Sequence, residues 1–177
     1  MKVFIAGPRL INELDTKVVE RLENIVRKNT VIVGDAHGID SSIQKYFYDK
    51  NYKQVCVFAS NGKARNNIGN WEIKNIAIDK NVKGFDFYSA KDLEMAKQAD
   101  YGFMIWNGES KGTFSNILNL LDLNKEFIIY YTVTKKFYSI KNIDDFDDFL
   151  KKEIKLSPTL LKITKKRLAQ NNQLSIL

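Results

Sequence analysis

Short apolar runs recur along residues 1–133, each a near-continuous stretch rather than an alternation of apolar and polar positions. They are Lys2 to Ala6, Thr30 to Val33, Gln54 to Ala59, Tyr101 to Trp106 and Glu126 to Tyr131. Continuous apolarity marks strands covered on both faces, as in a parallel sheet. Between these runs the apolar positions take a helical period. Val18, Leu22, Ile25 and Val26 fall at i, i+4, i+7 and i+8, as do Ile39, Ile43, Tyr46 and Phe47. Phe114, Ile117, Leu118 and Leu121 fall at i, i+3, i+4 and i+7, so each set gives a helix one apolar stripe.

Strand alternating with helix predicts an α/β fold: a doubly wound, mainly parallel five-stranded sheet of Rossmann-like form, with helices on both faces. After Val133 the pattern changes. Asp144 to Lys152 reads as a short helix, and Ser157-Pro158 as the cap and first turn of another that runs to about Leu168. The expected organisation is a Rossmann-like domain over residues 1–134 and a C-terminal helical extension over 135–177, packed on the sheet or on a partner subunit. The stretch Phe87 to Ala96 reads as an aromatic strand end, Phe87-Tyr88, then a Ser89 cap and a helix, whose Lys91 and Asp92 approach the ligand loops.

Composition narrows the setting. The 177 residues are 44% hydrophobic with 2 Pro, far from a disordered composition. A single thiol, Cys56, forms no internal disulfide, and neither a signal-peptide core nor a run of roughly 20 apolar residues occurs. A cytoplasmic protein is expected, with no membrane association. One His and one Cys do not build a structural zinc site, so no metal is expected. The net charge of +7 is uneven: residues 135–177 hold ten of the 28 basic and five of the 21 acidic side chains. Such a tail is more often a solvated face than a nucleic-acid arm, although positive potential favours anionic partners.

Ligands of doubly wound sheets bind beyond the carboxyl ends of the strands, which directs attention to the loops there. Gly7-Pro8-Arg9 follows the first strand. Gly34-Asp35-Ala36-His37-Gly38-Ile39-Asp40 joins the second strand to a helix, and its glycines and free helix-start amides make it a candidate anion cradle. Asn107 to Thr113 forms a second cradle after Trp106, with Ser110 and Thr113 hydroxyls, Gly112 and Lys111 available to a phosphate or ribose. Neither G-x-x-x-x-G-K-[ST] nor G-x-G-x-x-G is present, so no bound nucleoside triphosphate chemistry and no dinucleotide cofactor are expected.

Four features in this order resemble the SLOG superfamily, the Rossmann-like nucleotide-binding proteins named for Smf/DprA and LOG. They are Phe4-Ile5-Ala6-Gly7-Pro8, Val33 to Asp40, Ala64-Arg65-Asn66 and Gly112-Thr113. The first of them, and Ala99-Asp100 through Gly112-Thr113, are also similar to the nucleoside 2-deoxyribosyltransferases. The resemblance implies a ligand with a nucleobase, a ribose and usually a phosphate. In the LOG phosphoribohydrolases and the transferases a Glu follows Gly-Thr after two intervening residues and serves the glycosidic chemistry. Here that position is Asn116, whose amide has no basic oxygen at neutral pH.

Asn116 still suits recognition, since an amide both donates and accepts. His37 suits binding better than proton transfer, having no partner nucleophile nearby. Arg65 offers a planar fork to phosphate oxygens with Asn66 beside it. Trp106, at a strand's carboxyl end, is a stacking candidate, as are Tyr88 and Trp71. Glu109 is the carboxylate best placed to replace the missing one, and Asp100 is structural. The leading expectation is a protein that binds a nucleotide or nucleotide-derived small molecule through Gly34 to Asp40 and Ser110 to Asn116. An N-glycosidic enzyme of the transferase or phosphoribohydrolase type is the alternative. A DNA-associated protein using the basic tail is the second alternative, and homo-oligomers through the C-terminal helices are a further expectation.

Overall fold

In a computed structural model, which describes residues 1–25, 28–79 and 81–171, the chain forms one sheet with helices on both faces. The strands are β1 (Lys2–Ala6), β2 (Thr30–Gly34), β3 (Val55–Ser60), β4 (Glu72–Ile76), β5 (Tyr101–Trp106), β6 (Phe127–Tyr131) and β7 (Lys136–Ile140). The helices are α1 (Thr16–Ile25), α2 (Ile39–Asp49), α3 (Gly84–Gln98), α4 (Lys111–Asp122), α5 (Ile143–Glu153) and α6 (Pro158–Asn171). Sheet order is β4-β3-β2-β1-β5-β6-β7, parallel throughout except for the antiparallel β6–β7 pair.

The doubly wound α/β class is as expected, but the sheet has seven strands rather than five. The two additional strands lie at its edges. β4 is largely exposed and carries Glu72, Lys74 and Asn75, so it has no apolar run to betray it. β7 is exposed at Lys136, Phe137 and Ser139, half-buried at Tyr138 and buried at Ile140, so it too lacks a continuous apolar run. It lies within residues 135–177, so that segment contributes to the sheet as well as two helices. The Phe87-Tyr88 strand end is also corrected: both residues, with Ser89, lie inside α3. Val26, the last member of the first helical stripe, lies outside the described residues.

Period-2 alternation divides the core. Val3, Ile5, Val31, Val33, Phe103 and Ile105 point to the α1–α2 side, where Leu22, Ile43 and Phe47 meet them. Phe4, Ile32, Met104 and Trp106 point to the other side and pack on α3 to α6. Each fully buried large apolar side chain contributes about 1.5–3 kcal/mol. At the amino end of the sheet, Asp100 accepts the Lys2 amide at 2.7 Å, a structural pairing far from the loops of interest.

This order has one topological consequence. The chain leaves β1 toward β2 on one side, and β5 lies on the other, so a crevice opens between the loops after β1 and β5.

Candidate functional site

That crevice is a cavity of about 580 Å³, lined by the ends of β1 and β2, the loop after β5, and one face each of α3 and α4. Its size is that of a site for a small organic molecule. Gly7, Pro8 and Arg9 reach it from the first loop, Gly34 and Asp40 from the second, and Asn107, Ser110, Gly112, Thr113 and Asn116 from the third. The two glycine-bearing crossovers therefore meet at one cavity.

Three amides of the first crossover and of the α2 start it leads into are bonded within the chain. The Ala36 amide donates to Asp40 Oδ2 at 3.3 Å, the Ile39 amide to Pro8 O at 3.1 Å, and the Ser42 amide to Gly38 O at 3.0 Å. Gly34 is small for another reason than ligand approach: a Cβ there would lie 2.3 Å from Asp40 Oδ2 and 3.0 Å from Lys91 Nζ. Gly38 has φ +78°, and a Cβ on it would strike the Arg9 carbonyl oxygen at 2.4 Å. It thus seats the Arg9 loop without lining the cavity.

Beneath this loop is an ion cluster. Asp35 is buried and receives Arg65 as a fork, Nη2 to Oδ1 at 2.6 Å and Nε to Oδ2 at 3.1 Å, together with the Arg65 backbone amide at 3.0 Å. Lys91 is buried in turn, its Nζ 3.3 Å from Asp35 Oδ1 and 3.5 Å from Asp92 Oδ1. Burial opposes the ionised form of Asp35, but Arg65 and Lys91 outweigh it and hold the carboxyl at about 2. Asp40 lacks such a fork, and burial pushes it up to about 6 despite Lys91. Burial also raises Asp92.

The opposite wall is the start of α4. Asn107 Oδ1 accepts the Ser110 amide at 2.9 Å and the Glu109 amide at 3.1 Å, closing the loop. Ser110 caps the helix, its Oγ accepting the Thr113 amide at 3.4 Å and the Thr113 hydroxyl at 3.0 Å. One turn further, Asn116 is 5% exposed and its Oδ1 has no hydrogen-bond partner. A buried amide oxygen without a partner costs about 1–3 kcal/mol unless something satisfies it. At the mouth, two guanidinium groups approach the Tyr88 ring, Arg9 Cζ at 4.7 Å and Arg65 Cζ at 5.1 Å from its centre.

Several expected contacts lie elsewhere. His37 is exposed and outside the cavity, because the loop turns its side chain outward between buried Ala36 and Gly38. Trp106 is fully buried, stacked on Phe114 at 5.4 Å and donating Nε1–H to Ser110 O at 3.2 Å, so it supports the loop from the core. Asp35, Arg65 and Asn66 do not line the cavity either. Arg65 is bound to Asp35, and Asn66 Nδ2 donates to Asp35 O at 3.0 Å, so they brace the cluster from behind. Trp71 is likewise a core residue, its Nε1–H donating to Tyr52 O at 2.9 Å.

α3 gives a whole face to the site. Tyr88, Lys91, Asp92 and Met95 all line the cavity, at i, i+3, i+4 and i+7. That spacing is visible in the sequence once the helix is begun before Tyr88 rather than at Ser89. As for metals, no group of three or more His, Cys, Asp or Glu side chains among the described residues is arranged to hold one.

No family model and no curated protein matches the chain. Among solved structures it is similar to DNA processing protein A from Helicobacter pylori, with a TM-score of 0.58 and 12% identity. The match covers 96% of this chain and 81% of that one. It bears out the Rossmann-like architecture, and with it the fold implied by the Smf/DprA part of the SLOG resemblance. The structure of that protein concerns its mode of binding single-stranded DNA. Among the described residues of the present chain, no helix is long and apolar enough to cross a membrane.

Proposed function

We propose that this protein binds a nucleotide or nucleotide-derived small molecule in the cavity between the β1 and β5 loops. The observation that carries the reading is Asn116. It is buried, lines the cavity, and holds an amide oxygen that nothing among the described residues satisfies. The position at the switch point of a doubly wound sheet and the volume of about 580 Å³ agree with it. Thermal-shift ranking of nucleosides and nucleotides is the test, because a ligand of the folded state raises Tm by mass action. A concentration-dependent rise that falls by at least about tenfold in apparent affinity in Asn116→Leu is expected, equivalent to one lost hydrogen bond in a buried site. No shift with any of them contradicts the proposal. Chromatography of the same mixtures addresses the glycosidic alternative: with Asn116 in place of the Glu, no free base is expected.

The whole-chain likeness to a protein that binds single-stranded DNA favours a second reading, in which the occupant is a strand. The charge of +7 agrees with it. Its basic surface is then α6, where Lys162, Lys165 and Lys166 are exposed. This reading expects oligonucleotide binding that weakens steeply with salt and loses slope when those lysines become Gln. Binding to free mononucleotides with no measurable oligonucleotide affinity opposes it.

A further inference from the structure

Resting on the small-molecule reading above, we infer that the inner end of the cavity receives an uncharged, donor-bearing part of the ligand, a sugar or a base, and excludes phosphate. Any anionic group of that ligand stays at the mouth.

The inference comes from what each wall has left to offer. At the β2–α2 crossover, where a Rossmann-like fold commonly holds a phosphate, the Ala36 and Ile39 amides are taken by Asp40 and by the Pro8 carbonyl. What this wall presents instead is carboxylate: Asp40 and Asp92 both line the cavity. The inner cation, Lys91, is not available to an incoming anion, since Asp35 and Asp92 hold its ammonium at 3.3 and 3.5 Å. Displacing it would part Asp92 from its ion-pair partner and strip buried Asp35 of one of its two cations, a large cost. Across the cavity, on α4, is Asn116, whose buried amide oxygen has no hydrogen-bond partner among the described residues. Acceptors on both walls, with the Lys91 ammonium already committed to Asp35 and Asp92, match hydroxyl and amino groups and repel a phosphate.

The mouth is the reverse. Arg9 and Lys111 are both exposed there, and Arg9 lies over the Tyr88 ring with no carboxylate oxygen within 4 Å among the described residues. A guanidinium on an aromatic face keeps its N–H edge free for oxygen acceptors. The ligand class that fits is therefore a nucleoside, or a nucleotide entering sugar-first or base-first.

Competition calorimetry on the full chain tests this, using a nucleoside that shifts Tm, its 5′-monophosphate and inorganic phosphate as probes. The bare nucleoside is expected to bind within about tenfold of the monophosphate. Inorganic phosphate is expected not to compete with the nucleoside. Asn116→Leu should weaken both organic ligands, whereas Arg9→Gln with Lys111→Gln should lower the ratio of monophosphate to nucleoside affinity. The proposal is overturned if the monophosphate binds while the nucleoside does not, or if inorganic phosphate displaces the nucleoside. If neither organic ligand binds, it is the small-molecule reading itself that fails.

Discussion

Asp35 and Asp40, both anchored around the start of α2, are driven in opposite directions by their neighbours. Arg65 and Lys91 hold Asp35 at about 2, below the ordinary 3.8, so its contribution to stability is present above that ordinary value and is lost as pH falls through about 2. Asp40 stands at about 6, so the folded state binds its proton more tightly than the unfolded chain does. Stability from this group therefore declines as pH rises from about 4 to about 6, by on the order of 3 kcal/mol in total. Asp40→Asn keeps an acceptor for the Ala36 amide and removes the titration. Urea unfolding followed between about pH 4 and pH 7 should show the decline in the parent and its absence in the variant. An equal slope in both would mean that Asp40 is not held in this way. A buried carboxylate kept at such a cost, beside a cavity it lines, is the pattern of a group placed for a ligand.

At the level of elements, the central strands and the helices α1, α2 and α4 are legible because burial imposes a period on their sequences. The edges are not. β4 and β7 lack that constraint, so Glu72, Lys74 and Lys136 are tolerated there. Half of the site was legible for a related reason: glycine-bearing loops after buried strands fall at the carboxyl rim by topology alone. The ion cluster was not, since Asp35 and Lys91 are 56 positions apart and no local pattern joins them. Trp106 misled because its place at a strand end says nothing of the side on which its ring lies, and the ring lies on Phe114. Residues 135–177 carry a consequence of their own. Ile140, Phe146, Phe149, Leu150 and Leu160 are buried against the sheet and α4, and Arg167 pairs with Asp122 of α4 at 3.1 Å. Deleting the segment should therefore unfold the protein rather than trim a basic tail. Circular dichroism should show a lost cooperative transition. A truncated chain that melts as sharply as the full one would show that the segment is dispensable.

Considered whole, the molecule is a doubly wound sheet whose one topological switch is occupied by a cavity, with acceptor groups inside and basic groups at the rim. The fold is shared with a DNA-binding protein across nearly the whole chain, yet 12% identity leaves the contents of the cavity to this sequence. The two readings of function place the ligand differently: a small molecule lies between α3 and α4, whereas a strand held by the basic surface runs along α6. The most direct measurement is a two-dimensional amide NMR titration of the full chain with nucleosides and their monophosphates. Shifts centred on Gly7, Gly34, Gly112, Thr113 and Asn116, saturating together, are what the account predicts. Shifts confined to α6 and the outer faces, or none at all, would contradict it.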